Sequence, residues 1–386
     1  MAATRTGPAA RVADALLKAA IALPIVTLPV KAGQLEAVSG GVKYLHYAEE
    51  NGRIKVEAPM LWVQGPLGKG YDLSASAVVD SVSGASPRYV GNQGGKPVHT
   101  LSSASIVDSR RAADVKLTRH LDHMSLGLGA AVSSEHDYLS RAAGIDLRLN
   151  MNDRLTTLAV GTAIASDTIG SSVDRTLNEH RLTRDYFVGI TQVIDTVSLV
   201  QSNLSYSDGA GYYNDPYKYT LTFLAGQPSP VLHNDARPGQ RGQVAWLTRY
   251  RHYQTAWRSA LAIDYRYFMD DWGIRAHALD VSWSKDLGNG WKLRPGLRYY
   301  SQSQADFYAT TFASPTGLGS SDQRLASFGA LTPSLKLIKA IDATTSLDIT
   351  GAYYRQSAGL KAGGGGSADL APFAASYVML GITRRF

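Results

Sequence analysis

Residues 372–386 read PFAASYVMLGITRRF, and this C-terminal stretch decides the fold. Val378, Leu380 and Ile382 fall on one face of an extended chain, and smaller or polar residues fall mostly on the other. The stretch ends on an aromatic residue, Phe386. An apolar face that continues to the last residue is typical of the closing strand of a β-barrel in lipid, where an open edge would leave backbone groups without hydrogen bonds.

Phe386 is therefore the predicted assembly signal, which the barrel-assembly machinery of an outer membrane would recognise. One residue departs from the pattern, because Arg384 stands on the face that otherwise carries apolar side chains. We expect a complete barrel only if the preceding chain supplies the other strands.

Fifteen earlier segments show the same period of two. In one of them, Leu293, Leu297 and Tyr299 alternate with Arg294 and Arg298. The predicted strands are 41–49, 53–64, 71–80, 113–121, 124–134, 138–150, 154–165, 182–193, 196–207, 241–253, 256–268, 273–285, 290–302, 323–336, 344–356 and 372–386. The pattern predicts an all-β fold, a transmembrane antiparallel up-and-down β-barrel of about 16 strands, with fourteen or eighteen strands as alternatives.

The lengths of the connections alternate along the chain. Connections after even-numbered strands are short, as in MNDR at 151–154 and DLGN at 286–289. Connections after odd-numbered strands vary, and 81–112 and 208–240 are long. In outer-membrane barrels the short turns face the periplasm and the longer loops face the exterior, so we expect both chain termini in the periplasm.

Residues 1–32 are predicted to be a signal peptide, which leaves 33–386 as the barrel. A basic start precedes an apolar run at 19–28, and VKA at 30–32 resembles a small-x-small cleavage site. The apolar run is too short to span a bilayer. A soluble N-terminal helix is the alternative.

Charge and composition narrow the classes of partner. The net charge is +7, and it falls to +4 without residues 1–32, which hold four basic residues and one acidic residue. No aromatic-basic motif is present, so we expect no nucleic-acid partner. The chain has no Cys, which suits an oxidising envelope compartment, and its 21 Tyr and 6 Trp are the aromatic content that membrane girdles need.

Five long motifs carry a family resemblance. They are VVDSVSGASPRY (78–89), SSEHDYLSR (133–141), DGAGYYNDPYK (208–218), FMDDWGI (268–274) and LRPGLRYYSQSQADFY (293–308). The chain resembles the family catalogued as domain of unknown function 3570 over nearly all of its length after the signal peptide. The resemblance implies an outer-membrane barrel of a Gram-negative bacterium and no settled activity. It also implies genes nearby for a small lipoprotein, a thioredoxin-like protein and a flavin transferase, which makes the lipoprotein a candidate partner.

The inward positions of the tenth to thirteenth strands are rich in basic residues. A barrel of this size is wide enough for water, and a basic wall would favour anions along it. The predicted pore-lining residues are Arg249, Arg251, Arg258, Arg266, Lys292, Arg294 and Arg298. The alternative is an internal salt-bridge ladder with inward aspartates on the opposite side, which are Asp72, Asp80, Asp114, Asp146, Asp185 and Asp348.

Carboxylates near the outer rim are candidate ligands for a cation. Several carboxylates on converging loops can hold Ca²⁺. The set is Glu135, Asp137, Asp167, Asp208, Asp215, Asp270 and Asp271. Their spacing matches no defined calcium loop, and solvated turns use the same residue types. We therefore predict no metal and no cofactor.

The loops 81–112 and 208–240 exceed the usual length of a connection. We expect them to be ordered at the mouth of the barrel, or to bind a ligand or partner. Tyrosines of the second loop can stack on a ligand, and packing within a plug is the alternative. The predicted loop, ligand or partner residues are Asp80, Arg110, Arg111, Asp137, Tyr138, Tyr212, Tyr213, Asp215 and Tyr217.

Nothing in the sequence has the form of a catalytic site. The nine His are scattered, and there is neither a nucleophile elbow nor an HExxH motif. A lipase-like pair on the outer face would need a His and a Ser adjacent across strands, for which His277 is a candidate. We predict that the chain is not an enzyme.

These observations predict a porin-like channel or export conduit in the outer membrane of a Gram-negative bacterium, in contact with membrane lipid and lipopolysaccharide. The basic wall gives the channel an expected preference for anions. One alternative is a plugged barrel that serves as a membrane anchor or docking scaffold for a lipoprotein or an envelope redox partner. Another is a surface receptor or adhesin that uses the tyrosine-rich loops. The oligomeric state is not predicted.

Overall fold

The computed structural model describes residues 34–386 except 85–86, 94–95, 102–105, 225, 228 and 315. The predicted signal peptide, residues 1–32, lies outside the described residues, so it stays a prediction.

The described residues form 21 β-strands and three short 3-10 turns. The strands are β1 (Ser39–Glu49), β2 (Ile54–Pro66), β3 (Tyr71–Gly84), β4 (Pro87–Gln93), β5 (Lys96–Leu101), β6 (Ile106–His120), β7 (Met124–Ser134), β8 (Tyr138–Met151), β9 (Thr156–Ile169), β10 (Glu179–Val193), β11 (Ser198–Gly211), β12 (Tyr219–Thr222), β13 (Val231–Asn234), β14 (Gln240–Gln254), β15 (Ser259–Asp270), β16 (Arg275–Gly288), β17 (Trp291–Gln302), β18 (Thr311–Phe312), β19 (Phe328–Ala340), β20 (Thr345–Ser357) and β21 (Phe373–Arg385). The turns are Glu50–Gly52, Gln323–Leu325 and Ala358–Leu360. In this part of the chain, no helix has the length and apolar character needed to cross a membrane.

Sixteen strands pair antiparallel, in chain order, into one closed barrel. The other five lie in loops: β4 pairs with β5, and β12 pairs with β13 and β18. The predicted fold is confirmed, and each predicted strand corresponds to one strand of the barrel. Several strands extend further than predicted at the end of the barrel that carries the longer connections, which we call the long-loop end; β3, for example, continues to Gly84.

The barrel closes between its first and last strands. Val42 of β1 lies opposite Ile382 of β21, in a register that runs without a break from Ser39 to Glu49. The backbone N–H of Phe386 donates to the carbonyl of Val38 at 2.8 Å. The stretch 372–386 therefore forms the seam, and hydrogen bonding at the seam extends to Phe386.

The two faces of the sheet differ in chemistry. Large apolar side chains such as Leu128, Ile164 and Leu204 are about half exposed on the outer face. A continuous apolar band of this kind is rare on soluble proteins and common on barrels in lipid. Because side chains alternate along each strand, the polar and charged residues between them face inward.

The apolar core of the barrel sits at the long-loop end. One buried cluster centres on Ile54, Val56 and Val82 of β2 and β3. A second cluster joins Trp272 and Phe328 to residues of the connection between β17 and β19. This end of the barrel is therefore packed like a protein interior, while the opposite end, which we call the short-turn end, has short connections.

Candidate functional site

The basic wall is formed by the inward faces of β14, β15, β16 and β17. Leu279 and Leu297 are exposed on the outer face, so the residues next to them along each strand point inward. Asp264 of β15 lies opposite Asp280 of β16, which lies opposite Arg298 of β17. The cross-strand register thus places charged side chains in rows around the lumen.

Three arginines of the wall share two aspartates. Arg249 Nε lies 3.6 Å from Asp264, and Arg251 hydrogen-bonds the same carboxylate. Arg298 lies 3.5 Å from Asp280, in a pair whose side chains are both nearly half exposed. These contacts hold the arginines in position but leave one positive charge without a matching carboxylate.

Three further cations of the wall have no ion pair with any described residue. They are Arg266, Lys292 and Arg294, and Arg294 Nε donates to Ser284 Oγ at 2.6 Å. The wall therefore carries six cations against Asp264 and Asp280, since Asp286, which lies opposite Lys292, is already paired with Arg258. This excess of positive charge lines one side of the lumen.

Arg258 does not belong to the wall. The strand predicted to start at 256 begins at Ser259, because the chain turns over residues 255–258 and Arg258 adopts a left-handed φ of 46°. Its guanidinium lies 2.7 Å from Asp286 at the short-turn end. Arg258 therefore lies in a turn, where Asp286 neutralises its charge.

The inward faces of β3, β6 and β8 form what we call the paired wall, on the side of the barrel opposite the basic wall. Asp80 and Arg110 form a fully buried ion pair at 2.7 Å. Lys116 of β6 bonds Asp146 of β8. The other inward aspartates of these strands are also bonded: Asp72 to His120 and Asp114 to Ser76.

The aspartates of the proposed ladder thus bond to their own neighbours. Asp348 of β20 follows the same rule, since it lies 2.8 Å from Lys336 of β19. Asp185 of β10 lies opposite Ser207 of β11. A salt-bridge ladder is present, but it runs between adjacent strands or across a single intervening strand, as from β6 over β7 to β8, so these contacts do not neutralise the basic wall.

Two connections at the long-loop end, 212–239 and 303–327, form one substructure that we call the mouth insert. Strand β12 of the first connection pairs antiparallel with β13 and parallel with β18 of the second. Ala236 and Gly319 exchange backbone hydrogen bonds at 3.0 and 2.8 Å. The long loop 208–240 thus contributes two short paired strands, β12 and β13, to a structure at the mouth.

An ionic cluster lies inside the mouth insert. Arg237 Nε lies 2.6 Å from Asp235, and a terminal nitrogen of the same guanidinium lies 2.9 Å from Asp322. Arg324 bonds Asp322 and lies 2.9 Å from Asp215. Because Asp215 and Asp235 come from the first connection and Asp322 from the second, these contacts tie the two connections together.

Burial alone would raise the pKa of Asp322, but Arg324, Lys218 and Arg237 outweigh it and hold that pKa well below its usual range. Burial lowers the pKa of Lys218. The cluster therefore contains three cations and three carboxylates, which compensate one another in a largely buried site that is open on the Arg324 side.

Gln302 attaches the mouth insert to the basic wall. Its Nε2 donates to the carbonyls of Arg324 at 2.9 Å and Ala326 at 2.7 Å. Tyr300 on the same inward face donates to Gln302 Oε1 at 2.6 Å. The 3-10 turn Gln323–Leu325 is consequently fixed to β17, and this turn is the reason that β19 begins at Phe328 rather than at the predicted 323.

The predicted loop residues lie in separate places. Asp80 and Arg110 belong to the paired wall, while Arg111 is exposed on the outer face of β6. Asp215 belongs to the ionic cluster. The backbone N–H of Tyr212 donates to the carbonyl of His180 at 2.9 Å.

The remaining predicted tyrosines contribute to packing. Tyr213 meets Trp272 edge-on with ring centroids 5.3 Å apart. Tyr217 is buried and donates to the carboxylate of Asp137. Arg181 donates to the hydroxyl of Tyr138 at 3.1 Å. These contacts favour the packing role of the tyrosine patch over a stacking platform for a ligand.

Only part of the rim carboxylates converge. Among the described residues, Asp108, Glu135 and Asp137 form the one group whose carboxylate oxygens all lie within 4.8 Å of one another. The other candidate carboxylates have partners of their own. Asp167, Asp215 and Asp270 accept hydrogen bonds from Arg181, Arg324 and Arg241, Asp271 accepts one from the backbone N–H of Gly242, and Asp208 lies 3.7 Å from Arg184.

His277 contacts Tyr265, whose hydroxyl lies 2.7 Å from Nδ1. A different pair satisfies the Ser-His criterion across strands, because Ser198 Oγ lies 2.9 Å from His252 Nδ1. The Ser198 side chain is buried and follows the turn at 194–197, so this pair fastens the start of β11 to β14.

Two cavities lie along the basic wall. The larger, of about 730 Å³, lies towards the short-turn end and is lined by Arg251, Asp264 and Arg294. The smaller, of about 380 Å³, lies between the wall and the mouth insert. Arg266 and Arg298 line it from the wall.

Sequence reasoning missed most of the ionic cluster. Lys218, Asp235, Arg237, Asp322 and Arg324 belong to loops in which charged residues are ordinarily solvated. The signal that was available is the mixture of acidic and basic residues in both long connections, in NDARPG and SSDQR. Pairing between the two connections is not visible in either one alone.

The closed barrel with an apolar outer face and a charged lumen defines the class as an outer-membrane-type β-barrel. The family model described as "Protein of unknown function (DUF3570)" matches residues 13–180 and 170–379, so the chain belongs to that family. No curated protein sequence matches the chain significantly.

Two solved structures share the fold at low sequence identity. "Bacterial polysaccharide outer membrane secretin" is 9% identical, with a TM-score of 0.50, over 92% of this chain and 100% of its own. "CdiB from Acinetobacter baumannii" is 8% identical, with a TM-score of 0.53, over 90% of this chain and 60% of its own. Identities this low establish the similarity of fold alone.

Proposed function

We propose that this chain is an outer-membrane channel of a Gram-negative bacterium that favours small anions. The observation that carries the proposal is the basic wall, where Arg266, Lys292 and Arg294 have no ion pair with any described residue. Sixteen-stranded barrels are wide enough to hold water, and unpaired cations along one wall attract anions into it.

The mouth insert supports a second candidate function. Its buried ionic cluster and its attachment to β17 are what a plug needs in order to stay closed. In this alternative the barrel is a membrane anchor or docking scaffold for a lipoprotein or envelope redox partner, without catalysis.

Conductance of the refolded barrel in a planar bilayer decides between the two candidates. We expect stable current steps and a reversal potential that favours the anion in a salt gradient. A heat-modifiable, folded barrel that passes no current would contradict the channel and favour the plugged barrel.

The role of the wall needs a matched pair of variants. Replacement of Arg266, Lys292 and Arg294 by Gln removes three inward charges and should lower the anion-to-cation permeability ratio several-fold. Replacement of Arg111, Arg119 and Arg141 by Gln removes three charges from exposed positions on the outer face and should leave the ratio unchanged. Equal ratios in the two variants would show that selectivity does not come from the wall.

A further inference from the structure

The smaller cavity is enclosed by two substructures with different chemistry. Arg266 and Arg298 face it from the basic wall, and Arg237 and Arg324 face it from the mouth insert. Its volume is about 380 Å³, at the lower end of the range of ligand pockets. This volume corresponds to about a dozen water molecules, which fits an acid group on one ring or on a short chain.

The charges that line this cavity do not cancel. Arg237 and Arg324 are neutralised inside the ionic cluster, and Arg298 is paired with Asp280. A fifth lining arginine, Arg241, donates to Asp270 at 2.9 Å. Asp322 also lines the cavity, and its carboxylate is engaged by Arg237 and Arg324. Arg266 is left as the lining arginine without an ion pair to any described carboxylate.

An apolar surface lies beside this arginine. Phe268 and Ala278 flank Arg266 on the inward faces of β15 and β16, and Leu325 of the mouth insert is buried against the same cavity. The polar groups of Tyr300 and Gln302 are already used in the attachment of the insert. A ligand therefore meets one cation outside an ion pair and, beside it, an apolar part of the cavity wall.

We propose that this cavity binds a small organic monocarboxylate, with its carboxylate on Arg266 and its apolar body against Phe268 and Leu325. One arginine outside any ion pair matches one negative charge, and guanidinium groups bind carboxylates through paired hydrogen bonds. An inorganic anion would gain the charge interaction without the apolar contact. The inference rests on the proposed function, because it names the class of anion, but binding is measurable without conduction.

Isothermal titration of the purified, detergent-solubilised barrel with benzoate tests this site. We expect saturable binding, with benzamide and inorganic phosphate each bound at least about tenfold more weakly, a difference of about 1.4 kcal/mol. Arg266→Gln should weaken benzoate binding by at least about tenfold, and Arg266→Lys by less. Arg294→Gln is the matched control, since it removes an equally unpaired cation of the same wall outside this cavity, and it should change the affinity less than about twofold.

Three outcomes would overturn the proposal: no saturable binding of benzoate, equal binding of benzoate and benzamide, or equal losses in Arg266→Gln and Arg294→Gln. Heat-modifiable mobility reports whether each variant is folded. If Arg266→Gln does not fold, the comparison of benzoate with benzamide on the unmodified chain and the affinity of Arg266→Lys decide. A barrel that conducts anions but does not bind benzoate would support the proposed function and contradict this site. A barrel that binds benzoate but passes no current would support this site and contradict the channel.

Discussion

The basic wall and the paired wall are built from the same alternating strands, and they handle charge in opposite ways. On the paired wall, Asp80 and Arg110 are buried against each other, and Lys116 bonds Asp146. On the basic wall, Arg298 and Asp280 are both nearly half exposed, and Arg266 has no ion pair in the described part of the chain.

The difference follows from which residues the register places side by side. Where an acidic residue lies opposite a basic one on the next strand, the two charges neutralise each other. Such a pair contributes to stability rather than to the electric field in the lumen. Where Asp264 lies opposite Asp280, each carboxylate turns to an arginine on its other side, and cations remain in excess. Under the proposed function, the paired wall would contribute mainly to stability and the basic wall to selectivity.

The largest expected difference between the walls is in the free energy of unfolding. Asp80→Asn leaves Arg110 buried without its carboxylate, so we expect a loss of about 3–5 kcal/mol. Asp280→Asn affects an exposed pair and should cost less than about 1 kcal/mol. Urea unfolding from lipid vesicles measures both values, and equal losses would remove the distinction between the walls.

The mouth insert provides the next comparison. Asp322→Asn removes a carboxylate that serves Arg237 and Arg324, and we expect local opening of the insert to become easier by about 2 kcal/mol. Hydrogen exchange of residues 212–239 should accelerate by about 30-fold. The surface pair of Arg184 and Asp208 supplies the control, because Asp208→Asn should leave this exchange rate nearly unchanged.

Salt should weaken the attraction of the basic wall for anions and leave the ion pairs of the paired wall unchanged. Raising the salt concentration from about 0.1 M to about 1 M shortens the Debye length from about 10 Å to about 3 Å. The anion preference of the channel should therefore fall towards unity, since Arg294 and Arg298 act across water. The free energy of unfolding should change little, because Asp80 and Arg110 are shielded from the solvent. A selectivity that persists at high salt would point to a narrow binding site instead of a field.

The smallest effect is expected from mild acid on the mouth insert. The pKa of Asp322 is well below its usual value, so the stabilisation from its ionised form is complete above the ordinary aspartate pKa and is lost only as the pH falls through the lower, folded-state value. Acidification from pH 7 to about pH 5, which stays above the ordinary aspartate pKa, should therefore not reproduce the effect of Asp322→Asn. Hydrogen exchange of residues 303–327, corrected for the intrinsic rate at each pH, tests this expectation.

The strands were predictable from the sequence because lipid favours apolar side chains at the outward positions of every strand. Val378, Leu380 and Ile382 occupy successive outward positions of β21, so their period of two is visible in the sequence. The same holds for Leu293 and Leu297 in β17. The predicted start of β15 was wrong, because Arg258 fits the alternating pattern of the sequence although its backbone adopts a turn conformation.

The inward contacts were much less predictable. The sequence identifies Arg266 as an inward cation, but only the cross-strand register shows that Ala278, rather than an aspartate, lies opposite it. The contact between Arg237 and Asp322 joins residues 85 positions apart in two loops. Such pairs depend on how the loops fold against each other, and the periodicity of the sequence does not predict that arrangement.

The seam between β1 and β21 also fixes the timing of assembly. The first strand of the barrel, β1, can pair with β21 only after the whole of β21 has been synthesised, because the two lie at opposite ends of the barrel sequence and their hydrogen bonds run from Ser39 to Phe386. Pairing over such a large sequence separation is slow, and until it occurs two strand edges stay open to other chains. A newly made chain therefore stays an open sheet until β1 and β21 meet, and the formation of this one seam ends the exposure of both edges.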